Sequence, residues 1–92
     1  IDNNELIFRF FNKIQFDPII GTTHIALFVA MVLKSSNDSF VSFYGKELRQ
    51  TAKIRSTRTY FKVLNDLREG HYIDYKKGGS RWEKSLIKFN VI

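Results

Sequence analysis

An α+β fold, mainly helical, is what this sequence predicts, on three observations. Apolar residues recur at helical spacing along four stretches between Asn3 and Glu69. After Gly70 the period changes to alternation, and a Gly-tipped turn divides two β-leaning runs. At 92 residues the chain allows one domain with a single modest core, too apolar at 43% hydrophobic residues to stay disordered.

The first helix is expected over residues 3–14, where Leu6, Ile7, Phe10, Phe11 and Ile14 make one apolar stripe. Asn3 or Asn4 can cap it, and Asp17-Pro18 closes it. This stripe is unusually aromatic and fits either a core face or a dimer face. A second helix is expected from about Thr23 to Lys34, capped by Thr22 or Thr23 after Gly21. It is apolar nearly all round, which predicts a central place in the core. The run 35–39 (Ser-Ser-Asn-Asp-Ser) reads as a loop, and Phe40-Val41-Ser42-Phe43 as a short strand.

Ser42 can cap a third helix, Tyr44 to Ala52, that buries Leu48 and Ala52. Ala52 is small where two helices cross, and Ile54 is the apolar plug of the turn Lys53-Ile54-Arg55. Ser56 caps the fourth helix, Thr57 to about Glu69, seated by Tyr60, Val63, Leu64 and Leu67. Gly70 ends it in a left-handed conformation. Tyr72-Ile73-Asp74-Tyr75 is then a strand, residues 76–81 a turn, and Trp82 to Val91 the return strand, with Ile87, Phe89 and Val91 on one face. Residues 1–18, 42–70 and 71–92 are thus three parts of one domain, residues 1–92.

Charge is distributed unevenly over these parts. Residues 1–52 carry five basic and five acidic side chains, whereas residues 53–92 carry ten basic and four acidic ones, so the whole net charge of +6 lies in the fourth helix and hairpin. A basic helix beside a basic hairpin is the electrostatic footprint of a winged helix-turn-helix on nucleic acid. With the apolar stripe inward, the fourth helix presents Thr57, Arg58, Phe61, Lys62 and Asn65 outward. Entering the major groove, its N-terminus with Arg55 and Ser56 would hold a phosphate. Arg58 would fork onto a guanine edge, and Thr57 and Phe61 would touch a thymine methyl. Lys62 and Asn65 would reach a base or the backbone. Lys76, Lys77 and Arg81 would follow the flanking phosphates or minor groove. Each has a plainer reading as well: Arg58, Lys62 and Asn65 as a solvated face, Phe61 as core, the lysines as an ordinary soluble turn, Trp82 as an anchor at the base of the hairpin.

Residues 42–75 resemble the winged helix-turn-helix superfamily of prokaryotic transcription regulators. The resemblance is carried by Leu48, Ala52-Lys53-Ile54, Ser56-Thr57, Tyr60, Leu64, Leu67, Gly70 and Tyr72-Ile73. The chain departs from that pattern in His71 after the glycine and in its aromatic first helix. More loosely, residues 20–80 look like small winged-helix proteins of bacterial mobile elements, on Thr23-His24-Ile25-Ala26-Leu27, Ser56-Thr57 and Thr59-Tyr60. The superfamily resemblance implies double-stranded DNA as partner and, commonly, a homodimer. It implies no target sequence, and no small-molecule ligand is inferable.

Other classes find little support. There is no cysteine, so disulfides and thiolate metal sites are excluded, in keeping with a cytoplasmic setting. His24 and His71 fall in separate elements without metal-ligand spacing, His24 expected as a surface or half-buried residue and His71 packed at the start of the hairpin. The carboxylates form no pair for acid–base work, and Gly78-Gly79-Ser80 lacks the lysine and context of a phosphate loop. No enzyme, cofactor or metal site is therefore expected. The longest apolar stretch, Ile25 to Leu33, is about half the roughly 20 residues of a membrane span. The chain begins with Ile1 and stops in mid-pattern at Val91-Ile92, as a piece of a longer protein or a trimmed one would. Two alternatives remain open: a replication-initiator DNA-binding module of a mobile element, and a winged helix used for protein–protein contact through the aromatic first helix.

Overall fold

The computed structural model describes residues 2–35, 40–78 and 84–90. Within them are four helices and three strands, in the order α1 (Asn3–Ile14), α2 (Thr22–Ser35), β1 (Phe40–Phe43), α3 (Gly45–Thr51), α4 (Thr57–Glu69), β2 (Ile73–Lys76) and β3 (Ser85–Phe89). This is an α+β architecture, mainly helical, with one small antiparallel sheet. Gly79, Ser80, Arg81 and Trp82, residues 36–39 of the expected loop and Val91 lie outside the described residues.

Helix α2 is the centre. It packs against α1, α3, α4 and β1, and Leu27, Phe28, Ala30, Met31 and Val32 are all buried. An all-round apolar helix has no face to give to water, which is why it sits where four neighbours cover it. From α1, only Leu6, Phe10 and Ile14 enter the core. Phe10 lies parallel to Phe28, centroids 3.8 Å apart with planes at 4°, and meets Tyr72 edge-on at 5.5 Å. Phe28 in turn meets Phe89 edge-on at 5.4 Å. The expected α1 stripe is therefore divided, with Ile7 half-buried and Phe11 exposed; Phe8, outside the stripe, is exposed as well.

In the sheet the strand order is β1-β3-β2, so β3 is central. Val41 pairs with Ile87, Tyr75 with the same Ile87 from the other side, and Ile73 with Phe89. These residues share the inner face by the two-residue period of a strand. The outer face carries Phe40, Ser42, Leu86, Lys88, Asp74 and Lys76, all exposed.

Helix ends are where the structure departs most from the sequence reading. Asp2, not Asn3 or Asn4, caps α1, accepting from Glu5 N–H at 2.8 Å. Neither Thr22 nor Thr23 caps α2. Gly21 holds that position: its C=O accepts from Ile25 N–H (3.1 Å), while its own N–H donates to His24 Nδ1 (3.1 Å). His24 thus plays the part a Glu plays in a capping box. Ser42 belongs to β1 and caps nothing; Tyr44 stands at the α3 N-cap. The expected Ser56 cap on α4 is present, accepting from Thr59 N–H at 3.2 Å.

Gly70 is not left-handed, its φ being −78°; the left-handed residue is His71, at φ 63°, exposed rather than packed. His71 N–H donates to Arg68 C=O and Tyr72 N–H to Leu67 C=O, the paired bonds of a Schellman turn. Gly70 is needed for another reason. A Cβ there would stand 2.6 Å from Tyr72 Cε2, and Tyr72 is held in place by its hydroxyl donating to Asp17 Oδ2 at 2.6 Å. Burial, reinforced by that bond and by the Asp17 charge, pushes the Tyr72 phenol up to about 12. The same turn recurs after α3, with Lys53 left-handed at φ 63°, Lys53 N–H on Gln50 C=O and Ile54 N–H on Arg49 C=O.

Two non-glycine left-handed residues carry a conformational cost that glycine lacks. Lys53→Gly and His71→Gly are each expected to stabilise the fold by about 0.5–1 kcal/mol, the left-handed penalty less the entropy of the added glycine. Gly70→Ala is expected to destabilise it. Urea unfolding checks all three, and a Gly70→Ala protein as stable as the parent would show that the Tyr72 ring yields freely.

Candidate nucleic-acid interface

Helix α4 divides cleanly. Tyr60, Val63, Leu64 and Leu67 are buried, while Thr57, Arg58, Phe61, Lys62 and Asn65 are exposed. Arg55 and Ser56 lie exposed just before it, in the turn held inward by buried Ile54 and Ala52. So the seven expected residues from 55 to 65 form one continuous outward surface. Phe61, open to a core reading in the sequence, is nearly half exposed at 46%.

Several of these side chains already have partners. Thr57 Oγ1 accepts from Arg49 Nη1 at 2.6 Å, and the same nitrogen donates to Arg55 C=O at 3.2 Å. Arg49 therefore ties α3 to the start of α4 and fixes the direction in which α4 leaves the turn. The sequence reading missed it; an Arg in the last turn of α3, eight residues before a capping region, was its only signal. The Asn65 side-chain oxygen accepts from Arg68 Nη2 at 2.6 Å. Lys62 Nζ lies 3.1 Å from Asp66 Oδ2. By contrast, among the described residues the side chains of Arg55 and Arg58 make no hydrogen bond or ion pair.

Asp66 Oδ2 also receives His24 Nε2 at 2.8 Å. Because Nδ1 of that ring accepts from Gly21, the proton sits on Nε2 and is donated to Asp66. His24 is buried, against the surface or half-buried place expected for it. This chain of bonds runs from the α2 start through the His24 ring to the outward face of α4. The His24 hydrogen bond, helped by Lys62, holds the Asp66 carboxyl below the usual carboxylate range against the opposing effect of burial.

The two hairpin lysines separate. Lys77 Nζ stands 6.0 Å from the centroid of the Phe61 ring, bringing the end of β2 to the α4 surface. Lys76, expected in the turn, is the last residue of β2 and alternates to the outer face of the sheet. Arg81 lies outside the described residues. Between α4 and β2 runs a groove lined by Phe61, Leu64, Asn65, Arg68 and Tyr75, and a second groove joins the start of α2 to the turn, lined among others by Thr22, Thr23, Lys53 and Arg55. Burial first, and then the neighbouring Tyr75, raise the phenol of Tyr60, which is buried on the inward face of α4.

Among the described residues no three His, Asp or Glu side chains gather as a metal site requires, and no helix is long and apolar enough to cross a membrane. No family model, curated protein or solved structure matches the chain.

The lowered Asp66 carboxyl fixes the sign of a pH effect. Its stabilising contribution is complete above the ordinary carboxylate value of 3.8 and is lost as pH falls through the lower folded-state value. Asp66→Asn is expected to cost about 1.5–3 kcal/mol at neutral pH, as for a hydrogen bond to a charged group. The gap to the parent should close in acid. Denaturation at pH 7 and below pH 3 checks this, and a gap that does not narrow would show that Asp66 acts by shape alone.

Proposed function

We propose that the chain is a winged helix-turn-helix that binds double-stranded DNA and regulates transcription in the cytoplasm, as a protein of a bacterial mobile element. α3 and α4 are the helix pair, the residues after Thr57 the groove-reading helix, and the β2–β3 hairpin the wing. The observation that carries this reading is the outward surface of α4 and its preceding turn. It is a polar, cationic face with two uncommitted arginines, Arg55 and Arg58, backed by a fully buried apolar stripe. Of the two acidic residues of α4, Asp66 is engaged by His24 and Lys62, and Glu69 lies beside Arg68 at the far end of the helix.

In this reading Arg58 is the base-reading side chain, since a guanidinium can make two parallel bonds to one guanine edge. Arg55 and the α4 N-terminus hold a phosphate. Lys77 holds another from the wing side. Lys62, engaged with Asp66, contributes less than its position suggests. Catalysis and cofactors form no part of the proposal.

With four to six cations on phosphates, log affinity falls with log salt at a slope of roughly −4 to −5. Arg58→Ala is expected to cost about 1–3 kcal/mol on the preferred site and to relax specificity at one base pair. Lys77→Ala should weaken all sequences alike and flatten the slope by about one. Selection from random duplexes at two salt concentrations, followed by titration of both variants, checks this. Equal effects of both variants on every sequence would remove the division into reading and anchoring residues.

A protein partner for α1 is favoured by one observation: Phe8 and Phe11 stand outside the core, Phe8 at 67% exposure. We take that partner to be a second copy of the chain, which would set two α4 helices on one duplex. Sedimentation should then show a concentration-dependent dimer that Phe8→Glu abolishes. A monomer at all concentrations removes the homodimer.

A further inference from the structure

We infer that Phe61 reads the 5-methyl group of a pyrimidine, next to the base pair contacted by Arg58; the inference rests on the duplex-binding reading above. Phe61 is the one aromatic ring on the outward surface of α4, flanked by Arg58, Lys62 and Asn65. The buried Tyr60 ring meets it edge-on, centroids 5.1 Å apart at 69°. A ring fixed in this way presents a defined apolar surface to whatever covers α4.

The chemistry then narrows the ligand. Three residues along a helix advance about 4.5 Å, slightly more than the 3.4 Å between stacked base pairs of one strand. With α4 laid along the groove, Phe61 would face the base pair neighbouring that of Arg58. Its phenyl group neither donates nor accepts a hydrogen bond. Set against guanine, adenine or an unmodified cytosine edge, it would strip water from donors or acceptors and give nothing back. The thymine methyl is the one apolar group on the major-groove edges, and 5-methylcytosine offers the same methyl. Thr57, the other sequence candidate for this contact, sits a full turn earlier and offers a single methyl group where Phe61 offers a whole ring; its hydroxyl is engaged by Arg49 at 2.6 Å.

The test uses the complete chain and a duplex obtained by selection. Each thymine of the site is replaced in turn by uracil, which removes the methyl and nothing else. At one position, adjacent to the guanine whose loss Arg58→Ala tolerates, uracil should weaken binding about fourfold, the equivalent of one buried methyl group. Phe61→Ala, checked for native circular dichroism, should bind thymine and uracil duplexes equally, and Phe61→Ser should repeat the result. Cytosine at that position should gain from 5-methylation with the parent protein and not with either variant. Binding to the site with no uracil effect at any thymine overturns this inference and leaves the duplex-binding reading standing. A uracil effect that persists in both Phe61 variants overturns it equally. Failure to bind any duplex at low salt removes both.

Discussion

Phe10 and Phe28 stack with their rings 3.8 Å apart and nearly parallel, and through that contact α1 is fastened to the helix on which the other elements pack. Tyr72 meets Phe10 edge-on from the end of α4, and Phe89 meets Phe28 edge-on from the central strand. One group of four rings therefore joins α1, α2, the α4 terminus and β3. Aromatic pairs add about 0.5–1.5 kcal/mol each beyond the area they bury, which matters in a domain this small. Their larger effect is geometric. Flat rings in contact tolerate little rotation, so the sheet and the helices keep one mutual orientation, and the α4 surface inherits it.

The positions that face inward were legible because they obey simple periods. Ser56, then Tyr60, Leu64 and Leu67 at helical spacing, then Gly70, delimit α4 as Thr57–Glu69 with no help from the rest of the chain. Ile54 in an otherwise polar turn reads as a plug because nothing else would put it there. Helix ends were less legible, since a cap is chosen among several nearby oxygens by tertiary surroundings. His24 satisfies Gly21 N–H only because Asp66, 42 residues away, accepts from the other side of its ring. Gly70 was read as a conformational requirement, whereas it leaves room for a ring two residues later. Arg49 and Lys77 reach the α4 surface by contacts that spacing does not encode.

On that surface, the charge excess of the C-terminal half is not spread evenly among equal cations. Asp66 takes up Lys62, and Asn65 and Glu69 take up Arg68. Arg55 and Arg58, at the other end of the helix, make no side-chain hydrogen bond or ion pair within the described residues. The bonds that occupy Lys62 continue through His24 to the start of α2, so the least committed and the most committed cations lie within one helical turn. Net charge counts both kinds alike. Only geometry separates a cation that balances the protein from one that can balance a ligand.

The strand order β1-β3-β2 also bears on how the chain is made. Among the described residues the strand between the other two is the latest of the three in chain order, so β1 and β2 pair only once residues 85–89 have been synthesised. During translation the helices can collect around α2 while two short strands wait with unpaired backbone groups. Sheet closure then waits on β3, and residues 85–89 decide whether the two earlier strands exist as strands at all.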